Sequence, residues 1–77
     1  MYRVLIVDDE QLMREALSIM VSKVAGFEVV GSVNSGLKAI EICGNDKIDI
    51  VFMDIIMPEM SGIEASKNIY INNPNTT

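Results

Sequence analysis

The chain has 77 residues, of which 49% are hydrophobic, and a net charge of −5 at pH 7. This length suits one small domain, and the hydrophobic fraction excludes a disordered or fibrous chain. The acidic balance argues against a segment that grips nucleic acid or an anionic membrane, because both need a basic face. The sequence has no histidine, which removes the usual zinc sites and histidine-based catalysis.

The cysteine count and the hydropathy pattern indicate a cytoplasmic protein. Cys43 is the only cysteine, so no internal disulfide can form, and we interpret this thiol as a small core residue. No apolar run approaches the ~18 residues of a membrane span. The N-terminus enters a strand directly and lacks the layout of a signal peptide. We therefore expect a cytoplasmic chain that makes no membrane contact.

The first predicted elements are a strand, a helix and a second strand. Residues 4–7 are continuously apolar, which is typical of a central strand in a parallel sheet. From Glu10 to about Val24 the apolar residues recur at helical spacing, and Phe27 to Val33 forms the second predicted strand. The helix pattern places Met13, Leu17, Met20, Val21 and Val24 on an apolar side and Arg14, Ser18 and Ser22 on the other side.

The second half of the chain repeats this alternation. Residues 37–43 predict a short amphipathic helix, and Ile48 to Met53 predicts a third strand. Ser61 lies three residues before Glu64, a capping-box pattern that predicts the start of a third helix. The order β-α-β-α-β-α, with short connections and right-handed crossovers, predicts a parallel sheet with helices on both faces.

Carboxylates follow two of the predicted strands. Asp8 and Asp9 come after the first strand, and Asp54 comes after the third. Open α/β sheets bind ligands at the carboxyl ends of their strands, so we expect these acids to meet there. Clustered carboxylates repel one another unless a cation or protons intervene, and Mg²⁺ takes oxygen ligands. The pattern suggests phosphoryl transfer with Asp54 as nucleophile, while Asp8, Asp9 and a backbone carbonyl after Asp54 hold the metal.

Together, the two strand ends resemble the receiver domain of two-component response regulators. Residues 4–10, Val-Leu-Ile-Val-Asp-Asp-Glu, match the first strand and acid pair of that family. Residues 53–62, Met-Asp-Ile-Ile-Met-Pro-Glu-Met-Ser-Gly, match its phosphorylation-site strand and loop. The resemblance covers the whole chain and implies a flavodoxin-like, CheY-like α/β fold, with sheet order 2-1-3-4-5 when complete.

The resemblance also implies a chemistry and its partners. Asp54 would accept a phosphoryl group from a sensor histidine kinase, and Mg²⁺ would bind Asp8, Asp9, Asp54 and the backbone carbonyl of Ile56. The family's self-catalysed phosphotransfer and dephosphorylation would carry over, so the protein would be a phosphoacceptor and not an enzyme with a separate substrate. An output domain, often one that binds DNA, usually follows the receiver, so transcription regulation is implied by the family alone.

The sequence departs from the family pattern where it ends. A complete receiver continues with a fourth strand that ends in Ser or Thr and a fifth that ends in Lys, and both residues contact the phosphoryl group. None of the four lysines in this sequence ends a predicted strand on the acid side. We expect residues 1–77 to be the N-terminal three βα units of a receiver, either a shortened chain or a natural short product. Phosphorylation and switching should then be strongly impaired.

Two other functions remain open from the sequence. If the third strand lies at a sheet edge, residues 50–53 offer unpaired backbone to another chain, which favours self-association. The protein would then be a non-catalytic interaction or dimerisation module. A Mg²⁺-dependent phosphatase or phosphotransferase that acts on small molecules is the third hypothesis. Such enzymes often carry a second acid two residues after the nucleophile, where this sequence has Ile56.

Overall fold

The computed structural model describes residues 1–54, 62–72 and 76–77. Its strands form one parallel sheet, as the sequence predicts, and the first strand lies between the second and the third, as the family resemblance implies. Within the described ranges, none of the helices has the length and apolar character to cross a membrane. The elements in chain order are β1 (Tyr2–Val7), α1 (Gln11–Ser22), β2 (Phe27–Val33), α2 (Gly36–Asn45), β3 (Ile50–Met53) and α3 (Gly62–Asn72).

Strand β1 is the centre of the fold because both of its faces are covered. Val4 and Ile6 are fully buried in the core beneath α1, while Leu5 and Val7 are fully buried in the core beneath α2 and α3. Successive strand residues point to opposite faces, so burial on both sides explains the continuous apolar run. Cys43 lies in the same core as Leu5, which confirms it as a core residue, and burial raises the pKa of its thiol.

Strand β2 contains a β-bulge, which inserts one extra residue into its pairing with β1. Val29 pairs with Val4, but Gly31 pairs with Leu5, so Val30 is the extra residue. Val29 packs against the core beneath α1, and Val30 packs against the core on the other face. At Gly31 an added Cβ would lie 3.1 Å from the Cδ1 of Leu5. A larger residue there would therefore displace a fully buried side chain.

Helix α1 packs on the sheet through a narrower face than the sequence predicts. It spans Gln11–Ser22 and not Glu10 to Val24, and its contacts with the core come from Leu17 and Val21. Arg14, predicted to face away, is half-buried. The apolar arc of the helix is wider than the strip of sheet that it covers, so part of that arc faces solvent. The large apolar residues exposed on or next to this helix are Leu12, Met13, Ile19, Met20 and Val24.

Strand β3 is one of the two outer strands of the described three-stranded sheet, and β2 is the other. Strand β3 spans Ile50–Met53 and is shorter at its start than the predicted Ile48 to Met53. Thr77 N–H donates to the Asp49 carbonyl at 2.8 Å, and Val51 N–H donates to the Thr77 carbonyl at 2.8 Å. These bonds have the pattern of a parallel ladder. The expectation that the backbone of this edge is unpaired is therefore wrong for Val51.

Candidate functional site

Three carboxylates meet at the carboxyl end of the sheet. One oxygen from each of Asp8, Asp9 and Asp54 lies within 4.8 Å of the others. Asp8 is buried, with 8% of its surface exposed, while Asp54 is half-buried and Asp9 is exposed. The cluster therefore runs from the interior of the sheet to solvent, where open α/β sheets bind their ligands.

The pairing of β3 with β1 brings these acids together. Val7 lies opposite Met53 in the parallel register, and the N–H of Asp54 donates to the carbonyl of Val7 at 2.9 Å. The residues that follow Val7 and Met53 therefore leave the sheet at the same level. Strand register thus brings Asp8 and Asp9 close to Asp54, as the sequence predicts.

Asp8 is held by hydrogen bonds from three parts of the chain. Its N–H donates to the carbonyl of Val33 in β2 at 3.1 Å. Its Oδ1 accepts from the N–H of Glu10 at 2.9 Å, a local side-chain-to-backbone turn that begins the loop into α1. Its carbonyl accepts from Nη1 of Arg14 at 2.9 Å. The role of Arg14 is not visible in the sequence, because the reach of a long side chain to a backbone carbonyl leaves no periodic signal.

The oxygen donors of this cluster suit a small divalent cation. Carboxylate oxygens are the ligands that Mg²⁺ and Ca²⁺ prefer, whereas zinc and copper favour nitrogen and sulfur. Around Mg²⁺, adjacent ligand oxygens are about 3 Å apart and opposite ones about 4 Å apart. The oxygens of the cluster lie within 4.8 Å of one another, which is close to that spacing. Ile56, implied by the family resemblance as a carbonyl ligand, lies outside the described residues.

Comparison with known proteins assigns the chain to a family. Residues 4–77 match the response regulator receiver domain. The chain belongs to this family. The receiver is a component of two-component signalling, and its parallel sheet with helices on both faces has the CheY-like, flavodoxin-like fold.

Similar proteins include a chemotaxis regulator and two complexes. Chemotaxis protein CheY of Thermotoga maritima is 51% identical over 73 residues, which cover 95% of this chain and 60% of that protein. The CheX-CheY-BeF3-Mg complex of Borrelia burgdorferi has a TM-score of 0.88 and 34% identity over 97% of this receiver and 57% of the matched chain. The complex of histidine kinase ThkA with response regulator protein TrrA has a TM-score of 0.86 and 32% identity. The match covers 100% of this receiver and 65% of the matched chain. The receiver thus spans less than two thirds of each of these relatives.

Proposed function

We propose that this receiver accepts a phosphoryl group on Asp54 in a Mg²⁺-dependent reaction, with a phosphorylated sensor histidine kinase as the donor. The observation that carries the proposal is the convergence of Asp8, Asp9 and Asp54 within 4.8 Å at the carboxyl end of the sheet. Similarity to a CheY solved with BeF3 and Mg, and to a response regulator solved with a histidine kinase, supports the choice of cofactor and donor. The protein is a phosphoacceptor and does not turn over a separate substrate.

Each acid has a role that follows from its position. Asp8 and Asp9 would hold the ion beside Asp54, and the carbonyl of Ile56, which lies outside the described residues, would be the further ligand that the family resemblance implies. When bound, Mg²⁺ neutralises charge on the transferring group and orients it. Asp8 is suited to be the fixed ligand because three hydrogen bonds hold it. Asp9 is exposed and closes the site on the solvent side.

The transfer itself is made by the carboxylate of Asp54. One of its oxygens forms a bond to phosphorus while the bond from phosphorus to the donor imidazole nitrogen breaks, and that electron pair stays with the imidazole. Attack by water on the acyl phosphate later returns the carboxylate and inorganic phosphate. In an intact response regulator we propose that the phosphorylated state controls an output domain such as a DNA-binding transcription regulator. Residues 1–77, with a net charge of −5, do not contact the DNA themselves.

Chemical labelling tests the phosphoacceptor assignment. The chain is incubated with acetyl phosphate and MgCl₂, and peptide mass spectrometry then locates the added phosphoryl group. We expect slow labelling of Asp54 in the wild type and none in Asp54→Asn. Asp49→Asn is the matched control, because it removes the same charge from an acid at the opposite end of β3 and should keep the label. Labelling that survives Asp54→Asn would refute the assignment.

Self-association through β3 is the second candidate function, and one observation favours it. Phe52 is 37% exposed on this outer strand. The N–H of Met53 lies on the same side of the strand as that of Val51. The backbone of Thr77 makes hydrogen bonds with Asp49 and Val51 on this side of β3. Among the described residues, no backbone carbonyl on this side accepts a hydrogen bond from the N–H of Met53. Such an edge can add a strand from another chain.

Light scattering across a concentration series tests this association. The mean mass should rise with concentration in the wild type, and Phe52→Lys should suppress the rise by placing a charge on the edge strand. Ile63→Lys is a matched control, because Ile63 is also an exposed apolar residue but lies on α3. A wild type that stays monomeric at high concentration would exclude the dimerisation module.

A further inference from the structure

Arg14 reaches from α1 to the backbone of the acid cluster. Its Nη1 donates to the carbonyl of Asp8 at 2.9 Å, and its backbone N–H donates to the carbonyl of Glu10 at 3.1 Å. The side chain is half-buried, so this charge-assisted bond is partly shielded from water and stronger than a neutral one. Arg14 therefore connects the first turn of α1 directly to the end of β1.

The carbonyl of Asp8 needs this donor because the sheet ladder stops there. The N–H of Asp8 makes a hydrogen bond to the carbonyl of Val33, the last residue of β2. Beyond Val33 the chain turns into α2 and no longer runs beside β1. A partly buried carbonyl without a donor is costly. Arg14 supplies from a helix the bond that β2 no longer supplies.

The same bond fixes the peptide unit that joins the two proposed metal ligands. The carbonyl of Asp8 and the N–H of Asp9 belong to one planar peptide, so the orientation of one sets the orientation of the other. Asp8 has additional restraints from Val33 and Glu10. Asp9 is exposed, and no described residue makes a hydrogen bond to its carboxylate. The placement of Asp9 therefore depends on this peptide more than the placement of Asp8 does.

We propose that Arg14 is a positioning residue for the magnesium site. By holding the peptide between Asp8 and Asp9, it keeps both carboxylates turned toward Asp54 before the ion binds. Arg14 acts through the backbone and does not contact the ion or the phosphoryl group. This inference rests on the proposed phosphoacceptor function and names the residue that organises its metal ligands.

The chain offers a matched control in Arg3, its only other arginine. Nε of Arg3 donates to the carbonyl of Lys47 at 2.8 Å, at the amino end of the sheet. The substitutions Arg3→Met and Arg14→Met change the net charge equally, and each removes one hydrogen bond from arginine to a backbone carbonyl. They differ in which end of the sheet loses that bond.

Two measurements on the 77-residue chain test the proposal. The first is titration with MgCl₂, followed by the amide resonances of a nitrogen-15-labelled sample. Loss of a residue that orients a metal ligand typically weakens metal affinity by about tenfold or more, so we expect that loss in Arg14→Met. Arg14→Lys should restore most of the affinity, because a lysine ammonium can donate to the same carbonyl, and Arg3→Met should match the wild type.

The second measurement is amide hydrogen exchange without any metal. The N–H of Glu10 donates to Oδ1 of Asp8, so it reports whether the acid loop keeps its shape. We expect faster exchange at Glu10 in Arg14→Met, with the amides of β1 unchanged. Urea unfolding of each variant shows that the comparison is made between folded proteins.

The proposal requires that Arg14→Met weakens Mg²⁺ affinity and speeds amide exchange at Glu10. It also requires that Arg3→Met does neither. Unchanged Mg²⁺ affinity, or unchanged exchange at Glu10, in Arg14→Met would overturn it. An equal loss of affinity in Arg3→Met would also overturn it, since the cause would then be net charge. A wild type that binds no Mg²⁺ would overturn the proposed function instead, and exchange at Glu10 would still report whether Arg14 holds the acid loop.

Discussion

The two ends of the parallel sheet use aspartate in different ways. At the amino end, Asp49 accepts a hydrogen bond at Oδ2 from the N–H of Arg3 at 2.8 Å and donates its own N–H to the Arg3 carbonyl at 2.9 Å. At the carboxyl end, Asp8, Asp9 and Asp54 bring oxygens within 4.8 Å of one another. Asp49 is hydrogen-bonded to the backbone of a neighbouring strand, whereas the other three acids bring their oxygens together at the end of the sheet.

This difference separates a structural acid from a candidate site. A carboxylate that accepts a backbone hydrogen bond helps to join β1 to β3. A group of like charges opposes folding unless a cation or protons compensate it, so these acids are the candidate cation site. In the sequence, Asp49 and Asp54 look alike, because each flanks the same apolar strand. The end of the strand at which each acid lies distinguishes them.

Substitutions of the acids at the two ends of the sheet should differ most in their effect on Mg²⁺ binding. A variant that combines Asp8→Asn with Asp9→Asn should lose Mg²⁺ binding at millimolar concentration, because it removes two of the three negative charges that attract the ion and leaves neutral amide oxygens in their place. Asp49→Asn should bind as the wild type does. Titration calorimetry with MgCl₂ measures both. If the double variant keeps wild-type affinity, the ion binds elsewhere and the contrast between the two ends fails.

The next contrast is in stabilisation by the ion. At a Mg²⁺ concentration 100 times the dissociation constant, the free energy of unfolding should rise by about 2.7 kcal/mol, since the ion binds the folded chain. Urea unfolding with and without MgCl₂ should show this increase in the wild type and in Asp49→Asn. The double variant should show none, and an equal increase in all three would indicate a general salt effect.

Removal of the Asp49 carboxylate should lower the free energy of unfolding of the metal-free chain. Asp49→Ala leaves the part-buried N–H of Arg3 without its acceptor, so unfolding should require about 1–3 kcal/mol less. Asp46→Ala removes the same charge from an exposed residue next to α2 and should change stability less. Urea midpoints compare the two. Equal losses would mean that the hydrogen bond from Arg3 to Asp49 adds nothing specific.

The smallest expected effect is an increase in stability, whereas removal of Asp49 should decrease it. Asp9→Asn relieves repulsion within the acid cluster, so the metal-free chain should become more stable by less than about 1 kcal/mol. The gain should shrink as NaCl is added, because salt screens exposed charges. Urea unfolding at low and high ionic strength measures it. A destabilised Asp9→Asn chain would show that Asp9 has a structural role like that of Asp49.

The central position of β1 and the meeting of the acids could be predicted because both follow from rules that act along the chain. Residues 4–7 are apolar without interruption, and only a strand covered on both faces needs that pattern. Once β1 is central and parallel to β3, the residues after Val7 and Met53 must leave the sheet together. The acids after those residues therefore converge whatever the details of packing.

The packing of α1 and the shape of β2 could not be predicted in the same way. Apolar side chains occupy a wide arc of α1, and the sequence does not show which part of that arc the sheet covers. Arg14 is half-buried, and its guanidinium donates to the carbonyl of Asp8 just after β1, a contact that depends on the folded backbone. The bulge at Val30 is likewise invisible, because Val29 and Val30 are equally apolar and either fits a regular strand.

That bulge has a consequence for how this fold tolerates changes in chain length. Val30 has no partner in β1, while Val29 and Gly31 pair with the consecutive residues Val4 and Leu5. A chain from which Val30 is deleted can keep every other pair of this ladder and still place Val33 beside Asp8. The deletion removes one side chain from the core but does not shift the acid end of the sheet. The middle of this strand can therefore lose one residue while both of its ends stay in register.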